Sequence, residues 1–134
     1  METYLEHIAL NVSDPSTSFP FYRDLFLYFG YRVIRDDQDH IAFRKDGTPD
    51  FWIRTAEQRY VGNGFHRKNI GINHFAFHVS SRQDVDSFYE VFIKAHGVQT
   101  LYDTPKLFSK YTNDYYAVFF EDPDRLKLEV SFFS

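Results

Sequence analysis

Leu5-Glu6-His7-Ile8-Ala9-Leu10-Asn11-Val12-Ser13 and Ile72-Asn73-His74-Phe75-Ala76-Phe77-His78-Val79-Ser80 are the two stretches that decide how this chain reads. Set one above the other, they match at His7 and His74, Ala9 and Ala76, Val12 and Val79, Ser13 and Ser80. The match runs on without a gap through Phe21-Tyr22 against Phe88-Tyr89 and Gly30 against Gly97, every pair 67 positions apart. Seven ungapped identities at one offset indicate two copies of a single supersecondary unit.

Each copy opens with an apolar or alternating strand, 4–12 and 72–80. A helix follows. In copy two Ser81-Arg82-Gln83-Asp84 is a capping-box-like start, and Val85, Phe88, Tyr89, Phe92 and Ile93 fall at helical spacing. In copy one Ser13 or Ser18 is the expected cap, and Pro20 should delay or kink the helix. Gly30 and Gly97 supply left-handed stops. Three short strands then follow in each copy, near 31–36, 40–45 and 50–55, and near 98–102, 115–120 and 126–132. Asp46-Gly47-Thr48-Pro49 and Asp122-Pro123-Asp124-Arg125 are turn sequences. Residues 103–114 form the one long irregular segment, of the kind that often carries function. The pattern is βαβββ twice, an α+β chain with module one over 4–61 and module two over 70–132.

Composition fits one soluble domain. The 134 residues are long enough to bury a core unaided. Aromatics reach 20%, which suits packing on pleated sheets. A net charge of −4 argues against nucleic acid as partner, since phosphate binding needs a clustered basic surface. No apolar run approaches a membrane span, and Met1-Glu2-Thr3-Tyr4 does not open a signal peptide, so the cytoplasm is the expected location. The absence of cysteine excludes disulfides, thiolate zinc sites and a cysteine nucleophile.

A lone histidine on an apolar strand is ordinarily a hydrogen-bonded core residue. His7 and His74, however, hold one position of two related strands. If the copies pack about a local two-fold, their imidazoles converge, and a divalent metal would offset the desolvation of bringing them together. Glu129, mid-strand in Leu126-Lys127-Leu128-Glu129-Val130, supplies a carboxylate where an unpaired charge would be costly. Two histidines and a carboxylate match the composition of non-haem iron and catalytic zinc sites. His78 lies about 13 Å of strand from His74 and cannot share its metal. His96 suits the dipole at a helix C-terminus, and His40 sits in a turn. His66 and Arg67, in the basic join between the copies, are candidates for contact with an anionic substrate.

The residues resemble the vicinal oxygen chelate superfamily of glyoxalase, bleomycin-resistance and extradiol-dioxygenase proteins. The likeness rests on His7-Ile8-Ala9-Leu10-Asn11-Val12, Asp14, Ser18, Phe21-Tyr22-Arg23-Asp24, His74-Phe75-Ala76-Phe77 and the run from Tyr115 to Asp124 leading into Leu128-Glu129. It implies two βαβββ modules forming a half-open barrel around one divalent ion (Zn, Ni, Mn or Fe). The ligand positions carried over are His7, His74, Glu129 and, in copy one, Trp52. There glyoxalase I enzymes carry a second carboxylate. Indole cannot ligate, which leaves three protein ligands, as in the dioxygenase and fosfomycin-modifying branches. The basic and hydroxyl residues that fosfomycin-type members use along 103–114 are not recognisable. Arg125 replaces the glycine usual after Asp-Pro-Asp, at a position expected to need a left-handed backbone.

The reading that follows is a metal-dependent enzyme acting on a small molecule chelated through two oxygens, with lyase or isomerase chemistry. Trp52, Tyr115 and Phe119 would line the pocket, and Tyr115 is the one acid/base candidate beside Glu129. A ring-cleaving dioxygenase is the alternative within enzymes. The rival outside them is a binding protein that sequesters a flat ligand. The resemblance allows modules packed within one chain or exchanged across a homodimer.

Overall fold

The computed structural model describes all residues, 1–134. It divides into two compact units, residues 1–64 and 65–134. Each is an α+β unit built on one open four-stranded sheet.

In the first unit β1 (His7–Val12) is followed by α1 (Pro15–Tyr28) and by β2 (Arg32–Asp36), β3 (His40–Arg44) and β4 (Asp50–Thr55). The sheet order is β1-β4-β3-β2, with β1 parallel to β4 and the other pairs antiparallel. Asp14, not Ser13 or Ser18, caps α1: its carboxylate accepts from Ser16 N at 2.9 Å, and Pro15 takes the first turn, where no N–H is needed. The helix does not wait for Pro20, which lies inside it. Ser18 is buried with its hydroxyl unpaired. Phe26 holds the core together, its ring 4.7 Å from Phe43, 4.8 Å from Phe51 and 4.9 Å from Tyr31. A short helix, α2 (Gln58–Val61), closes the unit and has no counterpart in the sequence reading.

The second unit repeats the plan. After β5 (His74–His78) comes α3 (Arg82–Phe88), which widens into a π-helical turn over Tyr89–Lys94. β6 (Thr100–Leu107), β7 (Tyr116–Glu121) and β8 (Lys127–Phe132) complete the order β5-β8-β7-β6. Ser81 caps α3, accepting from Asp84 N at 3.1 Å, so the two helix caps, Asp14 and Ser81, keep the 67-residue offset. α3 packs on β7 and β8, Phe88 meeting Phe120 at 5.3 Å, and Val85, Phe92, Ile93, Val118, Leu128 and Val130 are buried. His96 serves the helix end as expected, its Nδ1 2.9 Å from Phe92 O.

Two local features matter for the site. The segment expected to be irregular from 103 begins as strand: β6 runs to Leu107 with its register broken between Leu101 and Lys106. Tyr102 and Asp103 take φ of 61° and 54° there, a bulge that re-aims the strand's side chains. Arg125 has φ 68°, the left-handed backbone expected of that turn.

Candidate functional site

Glu129 sits on β8, a central strand flanked by β5 and β7, directly opposite Ala76 and Phe119. Only 2% of it is exposed. Alternation sends Leu128 and Val130 toward α3 and puts Glu129 on the opposite face with Lys127 and Ser131. His74 starts β5 opposite Lys127, so it is the diagonal neighbour of Glu129 across a parallel pair. The small side chain of Ala76 leaves the imidazole room to lean across, and His74 Nε2 lies 3.2 Å from Glu129 Oε2. On the other side Tyr115, one residue before β7, reaches over Ala117 and Ser131, and its hydroxyl donates a short hydrogen bond to Glu129 Oε1. Both carboxylate oxygens are thereby engaged.

Asn73 settles the tautomer of His74. Its Oδ1 lies 2.7 Å from His74 Nδ1, while its Nδ2 donates to Arg67 O at 3.4 Å. The carbonyl oxygen therefore faces the ring, and an oxygen cannot donate, so Nδ1 carries the hydrogen. Nε2 is then the nitrogen left with a lone pair, and it lies near a carboxylate oxygen. The two atoms are 3.2 Å apart, close enough for one cation to serve both. Two ligand atoms each about 2.1 Å from one ion are about 3.0–3.4 Å apart at right-angled to tetrahedral geometry, which brackets the observed separation. The pair fits a divalent ion, with Asn73 as the outer partner that fixes the ligating nitrogen.

Tyr115 is held as a donor. Burial, then its bond to Glu129, pushes its hydroxyl up to about 12, so it keeps its proton near neutrality and orients the carboxylate. The ring stacks on Phe133 at 5.5 Å. Around the pair opens a hollow of about 600 Å³. Phe119, Tyr102, Phe108 and Tyr111 wall it, and Lys106, Lys110 and Lys127 line it.

Sheet one holds the counterparts. His7 begins β1, and its Nδ1 is bonded to the Glu6 carboxylate, leaving Nε2 uncommitted. Glu6 and Asn73 both directly precede their histidine, so the repeat includes the residue that sets the tautomer. Trp52 lies between Ala9 on β1 and Ala42 on β3. Glu129 lies between Ala76 and Phe119 in the same way, so Trp52 occupies in sheet one the position of Glu129 in sheet two. Half-buried Trp52 meets His40 edge-on at 6.2 Å and shares a hollow of about 410 Å³ with His7, Arg44 and Arg54. His40 thus begins a strand beside Trp52 rather than sitting in a turn. Arg44 donates to buried Asp50 from Nε at 3.0 and 3.1 Å and from Nη2 at 2.6 Å, which holds the Asp50 carboxyl below its ordinary range.

No group of three or more histidine, aspartate or glutamate side chains is gathered as a ligand set. Sheet two supplies a pair, His74 and Glu129. Arg67 and His66 do not line the sheet-two hollow: Arg67 Nη1 is 3.2 Å from Glu121 Oε1, and His66 Nδ1 accepts from Lys68 N at 3.1 Å. His78 stacks on Phe132 and lies 4.8 Å from Phe133, an aromatic contact rather than a ligand position. Lys106, Lys110 and Tyr111 escaped the sequence reading because the break in β6 register before that segment leaves no mark in residue spacing, whereas Lys127 was open to it, two residues before Glu129 on the same strand face. Asn73 and Glu6 were visible in principle, as the polar residues before each repeated histidine.

Fold and site together define a βαβββ repeat protein with a buried glutamate beside a histidine in an aromatic hollow. The chain belongs to the glyoxalase/bleomycin resistance protein/dioxygenase superfamily, whose family model matches residues 4–130. It is 34% identical over 128 residues to the protein YqjT of Bacillus subtilis (strain 168), covering 94% of this chain and 96% of that one. Among solved structures, a candidate glyoxalase from Bacillus halodurans superposes with a TM-score of 0.86 at 33% identity, covering 96% of this chain and 94% of the other. The fosfomycin resistance protein FosX of Listeria monocytogenes shares the fold with a TM-score of 0.71 at 22% identity, covering 100% and 96%. No helix is long and apolar enough to cross a membrane.

Proposed function

We propose that the chain is a metal-dependent enzyme acting on a small molecule bound through two neighbouring oxygens, by lyase or isomerase chemistry of the glyoxalase type. The observation that supports this most directly is the buried Glu129 carboxylate with His74 Nε2 at 3.2 Å from it, and Asn73 on the other ring nitrogen. His74 and Glu129 would hold the ion, and His7, the repeat counterpart of His74, is the third ligand of the reading. When bound, a divalent ion supplies a Lewis acid that stabilises negative charge on a substrate oxygen. Tyr115 fixes the orientation of Glu129, and Trp52 gives sheet one a flat apolar wall. Glu129 is the candidate to take a proton from substrate. A ring-cleaving dioxygenase would use the same two ligands, and the aromatic hollow would also suit a protein that binds flat ligands without turnover.

The test is metal analysis of protein purified without chelating resin. About one divalent ion per chain is expected. Protein that is metal-free and takes up no Zn, Ni, Mn or Fe on dialysis overturns the metal-dependent reading and leaves the binding protein.

A further inference from the structure

The chain carries a net charge of −4 and only six lysines, yet three of them, Lys106, Lys110 and Lys127, line the hollow above Glu129. Glu129 is the one carboxylate in that lining, and Tyr115 and His74 already engage it. The lysines answer to rings instead of acids. Lys106 Nζ lies 5.3 Å from the centroid of Phe108 and Lys110 Nζ 5.5 Å from that of Tyr111. Lys127 Nζ stands 5.4 Å from Tyr102 and 5.3 Å from Phe119, and donates to the Tyr102 hydroxyl at 3.4 Å.

Ring contacts of this kind stabilise an exposed ammonium only weakly and leave its charge available to an incoming anion. A local excess of positive charge in an acidic protein concentrates anions at that place and raises their rate of arrival. The walls select for shape. Tyr102 and Tyr111 are large aromatic residues left 48% and 57% exposed, and Phe108 meets Phe119 edge-on at 5.4 Å. Such faces favour a flat ring, which stacks or packs edge-on, over a puckered aliphatic one.

Resting on the reading of the His74–Glu129 site above, we infer that its substrate class is a planar aromatic carboxylate. The ring packs between the aromatic walls, and the carboxylate is met by Lys106 and Lys110 at the rim. Lys127, fixed by Tyr102, adds charge deeper in the hollow.

The experiment is calorimetric titration of the full chain with salicylate, its neutral amide and cyclohexanecarboxylate, each with metal-stripped and with ion-loaded protein. Stripped protein should bind salicylate, bind salicylamide and cyclohexanecarboxylate at least tenfold more weakly, and lose affinity when salt is raised about tenfold. Replacing both rim lysines (K106Q/K110Q) should weaken salicylate on the order of tenfold, the sum of two exposed ion pairs. Equal binding of salicylate and salicylamide overturns the inference. So does no binding of salicylate, or a double variant that circular dichroism shows folded and that binds as the parent does. The neutral amide and the salt series use the unaltered chain, so a misfolded variant leaves the inference open to refutation. If the stripped protein discriminates as expected but takes up no metal, the enzyme reading fails while the ligand class stands.

Discussion

Asn73 Oδ1 lies 2.7 Å from His74 Nδ1, and that contact decides what the other ring nitrogen offers to Glu129. The asparagine orders the ring as an outer partner of a metal ligand does, and Glu6 does the same for His7 in the other copy. An arrangement that fixes a tautomer has a purpose only if the free nitrogen has a partner.

His74→Ala and Glu129→Gln should each lower affinity for divalent ions by at least tenfold, measured by competition with a chromophoric chelator. The two differ in stability. His74→Ala leaves a carboxylate that is 2% exposed without its cationic partner and should cost about 3 kcal/mol in metal-free urea melts, whereas the isosteric amide should cost less. Ion retention unchanged in both variants would remove the pair from the metal site.

Tyr115→Phe deletes the donor to Glu129 Oε1 and keeps the ring that stacks on Phe133. An unsatisfied buried carboxylate oxygen should cost about 1–3 kcal/mol in urea melts. If Tyr115 orients the ligand rather than carrying the proton, ion affinity should fall while the pH profile of any activity keeps its shape. A variant that retains ion affinity but loses one limb of the profile would make Tyr115 the proton carrier instead.

Much of this was legible in the sequence, because a repeat reports on register. Matching His7 with His74 located β1 and β5, and carrying the comparison to the last strands gave Trp52 and Glu129 equivalent places, each paired with an alanine on the parallel strand of its own sheet. The left-handed turn at Arg125 was legible through the resemblance, which has glycine after Asp-Pro-Asp. The cap of α1 was misread because Asp14, Ser13 and Ser18 are equivalent as cap formers, and the choice rests on Pro15 occupying the first turn. Of the basic lining, only Lys127 was legible, two residues before Glu129 on one strand face. Lys106 and Lys110 follow the break in β6 register, where Tyr102 and Asp103 take positive φ, and residue spacing does not announce it.

Asp50 gives a pH test independent of the site. Arg44 holds its carboxyl below the ordinary 3.8, so the unfolded chain takes up this proton first as pH falls. The stabilisation is therefore present above pH 3.8 and is lost as pH falls through the depressed native value. Asp50→Asn should cost about 1–2 kcal/mol at pH 7, and the gap between parent and variant in urea melts should narrow as pH falls below 3.8. A gap that stays constant over that range would show that the Arg44 contact contributes nothing through charge.

The Trp52 position bears on the reaction itself. Glyoxalase I chemistry, as the resemblance implies, uses four protein ligands, two of them carboxylates, one of which shuttles the substrate proton. Trp52 holds the sheet-one position that Glu129 holds in sheet two, so the chain brings one carboxylate where that reaction uses two. Loss of a general base costs on the order of 10²–10⁴ in rate. Turnover of the methylglyoxal–glutathione adduct should therefore stay below roughly 10 per second, the median for enzymes, with Zn, Ni, Mn or Fe supplied in turn. The indole also gives a broad apolar surface where a carboxylate would have been, which suits a flat substrate better than a peptide thioether. Trp52→Glu supplies the missing group between Ala9 and Ala42, where two small neighbours leave room for it. That variant should gain ion affinity and adduct turnover together. Parent protein already turning over faster than 10 per second, or a folded Trp52→Glu variant gaining neither, would show that the indole is not what separates this chain from a glyoxalase I.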